Sequence, residues 1–262
     1  MNLFDPLEIP ITACIHLILT DPATQLPVSL GSGVFIKYKD RFFICTAEHV
    51  AFYKNCAVSI ITGQVKDGQS ILYEYGSFSY MQKFSLTEPT AENLIKQLDS
   101  LENGENLDVA FRETTLMDNV IQPARKFNIE GLREIDIKCD GKSIILADND
   151  FPLDENELFC FFGRTNGNIK ENILDFKERL YWGLTFHGID NEYIAFDLGS
   201  PIGDHARFEG CSGAPIFDTK GRLVALLTHG DEDVNSSIIY GFRFDKTKDY
   251  IDLMYFNENL NK

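Results

Sequence analysis

Glu209-Gly210-Cys211-Ser212-Gly213-Ala214-Pro215-Ile216-Phe217 sets a serine between two glycines on a tight turn that runs straight into an apolar strand. Glycines in such a turn let backbone N–H groups converge on a reacting carbonyl, and the oxyanion of a tetrahedral intermediate needs preorganised donors of that kind. The amides of Gly210 and Ser212 are the candidates for the pair. Ser212 is then a candidate nucleophile, a hydroxyl that requires a base beside it. Standing alone, the segment is also an ordinary Gly-Ser β-turn.

Two segments further upstream supply what a serine of this kind needs. Phe42-Phe43-Ile44-Cys45-Thr46-Ala47-Glu48-His49-Val50 is an apolar strand that ends in Thr-Ala and is followed almost at once by a histidine. With an ordinary pKa of about 6.5, an imidazole at a strand end takes a proton from a hydroxyl near neutral pH and returns it to a leaving amine. Asn106-Leu107-Asp108-Val109-Ala110-Phe111 places one acid at the start of an apolar strand, where it can hold the histidine tautomer. Each segment alone has a bland reading, a loop histidine and a turn aspartate.

The rest of the chain bounds the fold. Its 262 residues, 44% hydrophobic and 24% charged, are enough for a sizeable core and suit one large or two small domains. Short runs rich in β-branched and aromatic residues recur between turn signals, among them Ala13–Leu19, Phe42–Thr46, Leu158–Gly163, Leu180–Phe186, Leu223–Thr228 and Ser237–Phe244. Many short strands point to barrels or sandwiches. Thr87–Leu101 and Thr247–Asn259 carry helical spacing instead, the second as a C-terminal cap.

A formal charge of −16 argues against nucleic acid and anionic membrane as partners, since both require Lys/Arg. The N-terminal residues carry acids where an export signal has a basic region, so a cytoplasmic location is expected. Six cysteines lie far apart, with no spacing for metal ligation, so no metal or cofactor is expected. Cys14, Cys45, Cys139 and Cys160, in or beside apolar runs, are expected to pack as small hydrophobes. Cys211 is the expected exception, an oxidisable thiol with its pKa lowered by nearby amides.

The order His49, Asp108, Ser212, each in its own local context, resembles the chymotrypsin-like (trypsin-fold) serine peptidases, in the style of the bacterial intracellular and HtrA-type domains. Gly31-Ser32-Gly33-Val34-Phe35-Ile36 stands ahead of Thr46-Ala47-Glu48-His49, as a Gly-Ser-Gly strand precedes Thr-Ala-Ala-His in that family. Asp108-Val109-Ala110 is similar to the family's Asp-(Val/Ile)-Ala strand, and Gly210 to Pro215 to its Gly-x-Ser-Gly-Gly-Pro motif. Ala214 replaces the second glycine after the serine. Cys211 replaces the aspartate that many secreted members use to bind a new N-terminus. The resemblance therefore implies a site formed constitutively or switched by a regulatory protein partner.

The fold implied is all-β, a double six-stranded β-barrel (chymotrypsin-like) with a short inserted helix and a C-terminal helix. Residues 1–128 would form the N-terminal barrel carrying His49 and Asp108. Residues 129–262 would form the C-terminal barrel carrying Ser212 and the helix, with Glu113–Asn156 as the crossover. The implied activity is that of a serine endopeptidase acting on protein or peptide substrates through a Ser-His-Asp triad, with Gly210 and Ser212 as the oxyanion hole. Ala206, six residues before Ser212, maps onto the floor of the primary substrate pocket, and Thr228, His229 and Gly230 onto the strand that pairs with substrate. Competing readings are a hydrolase using Cys211, a catalytically silent trypsin-fold protein-binding module, and a non-proteolytic β-domain.

Overall fold

The computed structural model describes residues 6–52, 56–83, 105–115, 120–129, 133–170 and 173–256. β-Branched and aromatic residues favour extended backbone that is packed on its faces. Strand β1 (Cys14–Thr20), after the short helix α1 (Glu8–Ala13), is buried at every position but its last. It pairs antiparallel with β2 (Pro27–Tyr38), and β2 with β3 (Arg41–Thr46). Lys39 and Asp40, at φ 47° and 61°, close that second hairpin. Consecutive left-handed residues give a turn whose twist matches the strands it joins.

Helix α2 (Glu48–Ala51) follows β3, and the half continues through β4 (Ala57–Lys66), β5 (Gln69–Tyr75), β6 (Ser79–Lys83) and β7 (Glu105–Thr114). Asp67 and Gly68, at φ 52° and 79°, close the β4–β5 hairpin in the same way. The helix expected at Thr87–Leu101 lies outside the described residues. A crossover carries β8 (Ile121–Gln122), β9 (Arg125–Ile129), β10 (Arg133–Ile137), β11 (Asp140–Gly141) and β12 (Ile145–Leu146). The first sheet runs β5-β4-β1-β2-β3-β7-β6 and reaches eight strands because β12 joins β2 in parallel.

The second half is a closed barrel of β13 (Leu158–Lys170), β14 (Ile173–Asp190), β15 (Tyr193–Asp197), β16 (Pro215–Asp218), β17 (Leu223–Gly230) and β18 (Ile238–Arg243). Its order around the ring is β13-β14-β15-β18-β17-β16. Helix α3 (Phe244–Ile251) follows β18, where the sequence placed a C-terminal helix, and passes into a wider turn over Asp252–Phe256. The architecture is all-β and chymotrypsin-like. No helix among the described residues is long and apolar enough to cross a membrane.

The halves are welded by a shared core. Phe43 and Phe111 of the first sheet are fully buried in one cluster with Phe217, Leu226 and Phe242 of the barrel. Burying one such side chain contributes about 2–3 kcal/mol, so this contact holds the two halves in one fixed relation. That relation positions the site, because its residues come from both sides.

Among the cysteines, Cys14, Cys45, Cys160 and Cys211 are buried, Cys56 is half-buried and Cys139 is exposed, and all six are free. Cys139 thus departs from the packed role its apolar neighbours suggested, because it falls at the bend between β10 and β11 rather than within either strand. Desolvation pushes the buried thiols up, Cys160 to about 12. Without reductant, Ellman's reagent should count six thiols in denaturant. In the native protein Cys139 should react well before the four buried thiols; a count below six in denaturant, or a buried thiol reacting as fast as Cys139, would contradict this packing.

Candidate active site

Register brings the first two candidate residues together. In the β3–β7 ladder Thr46 stands opposite Ala110, so the turn after β3 that starts α2 lies beside the residues that precede Ala110 on β7. His49 is on that turn and Asp108 is two residues before Ala110. Its Nδ1 lies 2.9 Å and 3.0 Å from the two carboxylate oxygens of Asp108, and its backbone N–H donates to Oδ1 at 3.3 Å. A carboxylate only accepts, so Nδ1 carries the proton and Nε2 is left as the basic nitrogen. Burial of the ring lowers the His49 pKa, but the hydrogen bond and charge of Asp108, with the charge of Glu48, outweigh it and raise the value above the ordinary 6.5.

Ser212 approaches from the barrel, three residues before β16. The loop that carries it is tied to the other half by one residue of β2. Ser32, fully buried, donates its N–H to Ser212 O at 2.8 Å and its hydroxyl to Gly210 O at 2.7 Å. The Ser32 carbonyl in turn accepts from Thr46 Oγ1 at 2.6 Å. Gly213, at φ 83°, passes so close to this strap that a Cβ would sit 2.1 Å from Ser32 O. Within the loop, Cys211 N–H donates to Phe208 O at 2.9 Å, Gly213 N–H to Leu227 O at 2.7 Å and Ala214 N–H to Cys211 O at 2.8 Å. The Gly210 and Ser212 amides, the expected donor pair, stand outside these bonds.

His49, Asp108 and Ser212 line one cavity of about 560 Å³, together with Thr228, His229 and Gly230 of β17. Ser212 Oγ donates to Thr228 O at 3.3 Å, and among the described residues Ser212 and His49 share no hydrogen bond. Ala206 falls in the single turn His205–Phe208, with its side chain outside the described residues. Its neighbours His205 and Phe208 do line the cavity. His205 therefore belongs to the cavity, whereas His187 is exposed on β14 and His16 is buried on β1.

Sequence reading missed three further contributors. Tyr193 OH accepts the Asp108 N–H at 3.4 Å, a contact between β15 and β7. Ser32 acts through its strap, although the glycines on either side of it were the only local signal. The third is the packing beneath the loop. Cys211 is fully buried, its thiol donating to Arg164 O at 3.4 Å and pushed up in pKa by desolvation. A Cβ at Gly163 would lie 2.6 Å from its sulfur, so glycine there makes room for it. Full burial and a raised rather than lowered pKa remove both the expected easy oxidation and the reading of Cys211 as nucleophile.

Arg164 belongs to a buried polar cluster at the junction of the halves. Its Nε meets Glu178 Oε1 at 3.3 Å, Arg125 pairs with the other Glu178 oxygen, and His16 Nε2 is 3.5 Å from the first. Desolvation, then the cations Arg164, Lys142 and Arg125, hold the His16 pKa well below its ordinary value, so this imidazole is neutral at pH 7.

Fold and site together define the class as far as architecture goes: an all-β chymotrypsin-like chain with a histidine–carboxylate pair and a glycine-flanked serine facing one cavity. Among solved structures the chain is similar to the serine endoprotease from Yersinia pestis, over 97% of this chain and 66% of that one, at 12% identity and a TM-score of 0.51. The chain thus spans about two thirds of that neighbour's length, and the likeness is one of fold. No protein-family model and no curated protein matches the sequence.

Gly213→Ala tests the strap. The added methyl meets the Ser32 carbonyl and Thr46 Oγ1 on a left-handed backbone, and should cost roughly 2–4 kcal/mol of stability. Chemical denaturation checks it, and a variant as stable as wild type would show that the loop does not sit against β2.

Proposed function

We propose that this chain is a serine endopeptidase, cleaving protein substrates with a Ser212-His49-Asp108 triad through an acyl-enzyme. The observation that carries the reading is the His49 Nδ1 contact with both Asp108 oxygens, at 2.9 Å and 3.0 Å, in the cavity that also contains Ser212. Asp108 fixes the tautomer that leaves Nε2 basic. Ser212 Oγ exchanges Thr228 O for His49 Nε2 by rotating about its Cα–Cβ bond, and attacks the scissile carbonyl as its proton passes to the imidazole.

The carbonyl oxygen, now an anion, is met by the Gly210 and Ser212 amides. Collapse breaks the C–N bond, and the imidazolium gives its proton to the leaving amine. Water then repeats the sequence on the acyl-enzyme, delivering its proton through His49 and releasing the acid. In this reading residence is cytoplasmic, in keeping with six unpaired thiols. A silent binding module of the same fold is the second reading, and the Ser212 hydroxyl bonded to Thr228 O instead of His49 is what favours it.

A fluorophosphonate probe separates the two. Adduct on Ser212, lost in Ser212→Ala and retained in Cys211→Ser, supports the peptidase; no adduct, or one elsewhere, sinks it.

The acidic limb of the kcat/KM profile gives an independent check. His49 must be neutral to accept the serine proton, and its pKa is raised, so activity should rise with pH through a midpoint above about 6.5. Asp108→Asn removes the raising partner and favours the wrong tautomer. It should move that midpoint down and lower kcat roughly 10⁴-fold; an unmoved midpoint would take Asp108 out of the triad.

A further inference from the structure

Strand β5 ends the first sheet, and its outer edge carries none of the usual protection. Edge strands are commonly kept short, bulged or marked with Lys or Pro, because a bare row of N–H and C=O groups is a template for another strand. β6, at the opposite end of the sheet, is five residues long, and its ladder with β7 shifts register after Tyr80. β5 reads Gln69-Ser70-Ile71-Leu72-Tyr73-Glu74-Tyr75, without Lys, Arg or Pro, and the irregularity in its ladder falls on β4, between Ile61 and Val65. Gln69 to Glu74 are all exposed, so this part of the hairpin stands out from the body as a two-stranded ribbon. Ile71, Leu72 and Tyr73 are 37%, 44% and 48% exposed, and Val65, opposite Ser70 on β4, is 68% exposed. A ribbon that is apolar on both faces is poorly stable in water until something covers it.

The backbone shows which groups are free to pair. The Ile71 carbonyl accepts Thr62 Oγ1 of β4 at 2.7 Å, so it faces β4. In an antiparallel strand the N–H and C=O of one residue share an edge, and successive residues alternate between edges. Ser70, Leu72 and Glu74 therefore aim theirs away from β4. Among the described residues β5 pairs with β4 alone.

The strand is its own complement. A second copy laid antiparallel along its whole length, about a two-fold axis at Leu72, sets Ser70, Leu72 and Glu74 against Glu74, Leu72 and Ser70 of the copy. Each of these pairs exchanges two backbone hydrogen bonds. Ile71 meets Tyr73 on one face, a β-branched residue against an aromatic one, and Leu72 meets Leu72 on the other. Glu74 meets Ser70 rather than another acid. Two chains of charge −16 repel each other as wholes, but the seam between them holds no like-charge pair.

We propose that β5 pairs with β5 of a second copy, antiparallel about Leu72, so that the first sheets of two chains run on into each other in a closed two-fold dimer. Self-pairing uses up the β5 edge, and assembly stops at two.

Sedimentation equilibrium of the full chain from about 1 to 100 µM, the range in which modest interfaces dissociate, tests the proposal. Wild type should pass from one chain to two and go no further, and should associate more tightly at about 0.3 M salt than at about 0.03 M, because screening relieves the repulsion between acidic chains. Leu72→Lys sets two ammonium groups against each other at the axis and should raise the dissociation constant at least about 10-fold. Ser70→Glu places an acid opposite Glu74 of the copy, and Ser70→Lys places a cation there. The constant should rise in the first and fall in the second, each by roughly 3–10-fold over the two equivalent pairs. Both positions are exposed, and thermal unfolding beside wild type checks that each variant is folded. Wild type that stays a single chain at about 100 µM leaves the edge to a strand of another protein and overturns the proposal. Assemblies larger than two, a dimer indifferent to Leu72→Lys, or two Ser70 variants that shift the same way overturn it as well.

Discussion

The strap that Ser32 throws across the junction is the constraint on which the site depends. Its N–H and hydroxyl hold the carbonyls of Ser212 and Gly210, which fixes the Gly210–Cys211 and Ser212–Gly213 peptide planes. The amides of those two planes, Cys211 N–H and Gly213 N–H, donate to Phe208 O and Leu227 O, so the loop is held on both edges. Thr46 completes the arrangement by anchoring the Ser32 carbonyl, and Thr46 is itself the end of the strand that leads to His49. The histidine turn and the serine loop are therefore positioned from one pair of neighbouring strands, and the shared aromatic core keeps those strands in place.

The electrostatics follow the same division between surface and junction. A chain with 16 more acids than bases nonetheless gathers cations at its interior junction, Arg125 and Arg164 on the carboxylate of Glu178 and Lys142 close enough to both arginines to feel their charge. Burial brings the Lys142 amine to about 7 and the Arg164 guanidinium to about 9. Taking charges out of water is costly unless they are paired and hydrogen-bonded, and Lys142 illustrates how they are accommodated, donating to Gln122 Oε1 at 2.5 Å and Ile11 O at 3.2 Å. Net charge described the outer surface and was silent about this interior.

What the sequence made legible was local. His49, Asp108 and Ser212 each carry a signature within a few residues, and the strand runs around them alternate clearly enough to give an all-β fold with a C-terminal helix. What it hid depends on register across long separations. Tyr193 reaches Asp108 over 85 positions and Ser32 reaches Gly210 over 178, and no spacing rule links residues that far apart. Cys211 was misread for a related reason. Its side chain falls into a space left by Gly163, against Arg164 O, and only the packed structure reveals that space.

The same strap sets an order of events as the chain leaves the ribosome. His49, on the turn after β3, and Asp108, on β7, lie in the first half of the chain beside strands that pair with one another, whereas the loop of Ser212 comes from the second half and is bonded to Ser32. An N-terminal half standing alone has the histidine and its carboxylate without the serine; a C-terminal half alone has the serine loop without the residue that binds two of its carbonyls. The three candidate residues thus share one cavity only once both halves are made and docked.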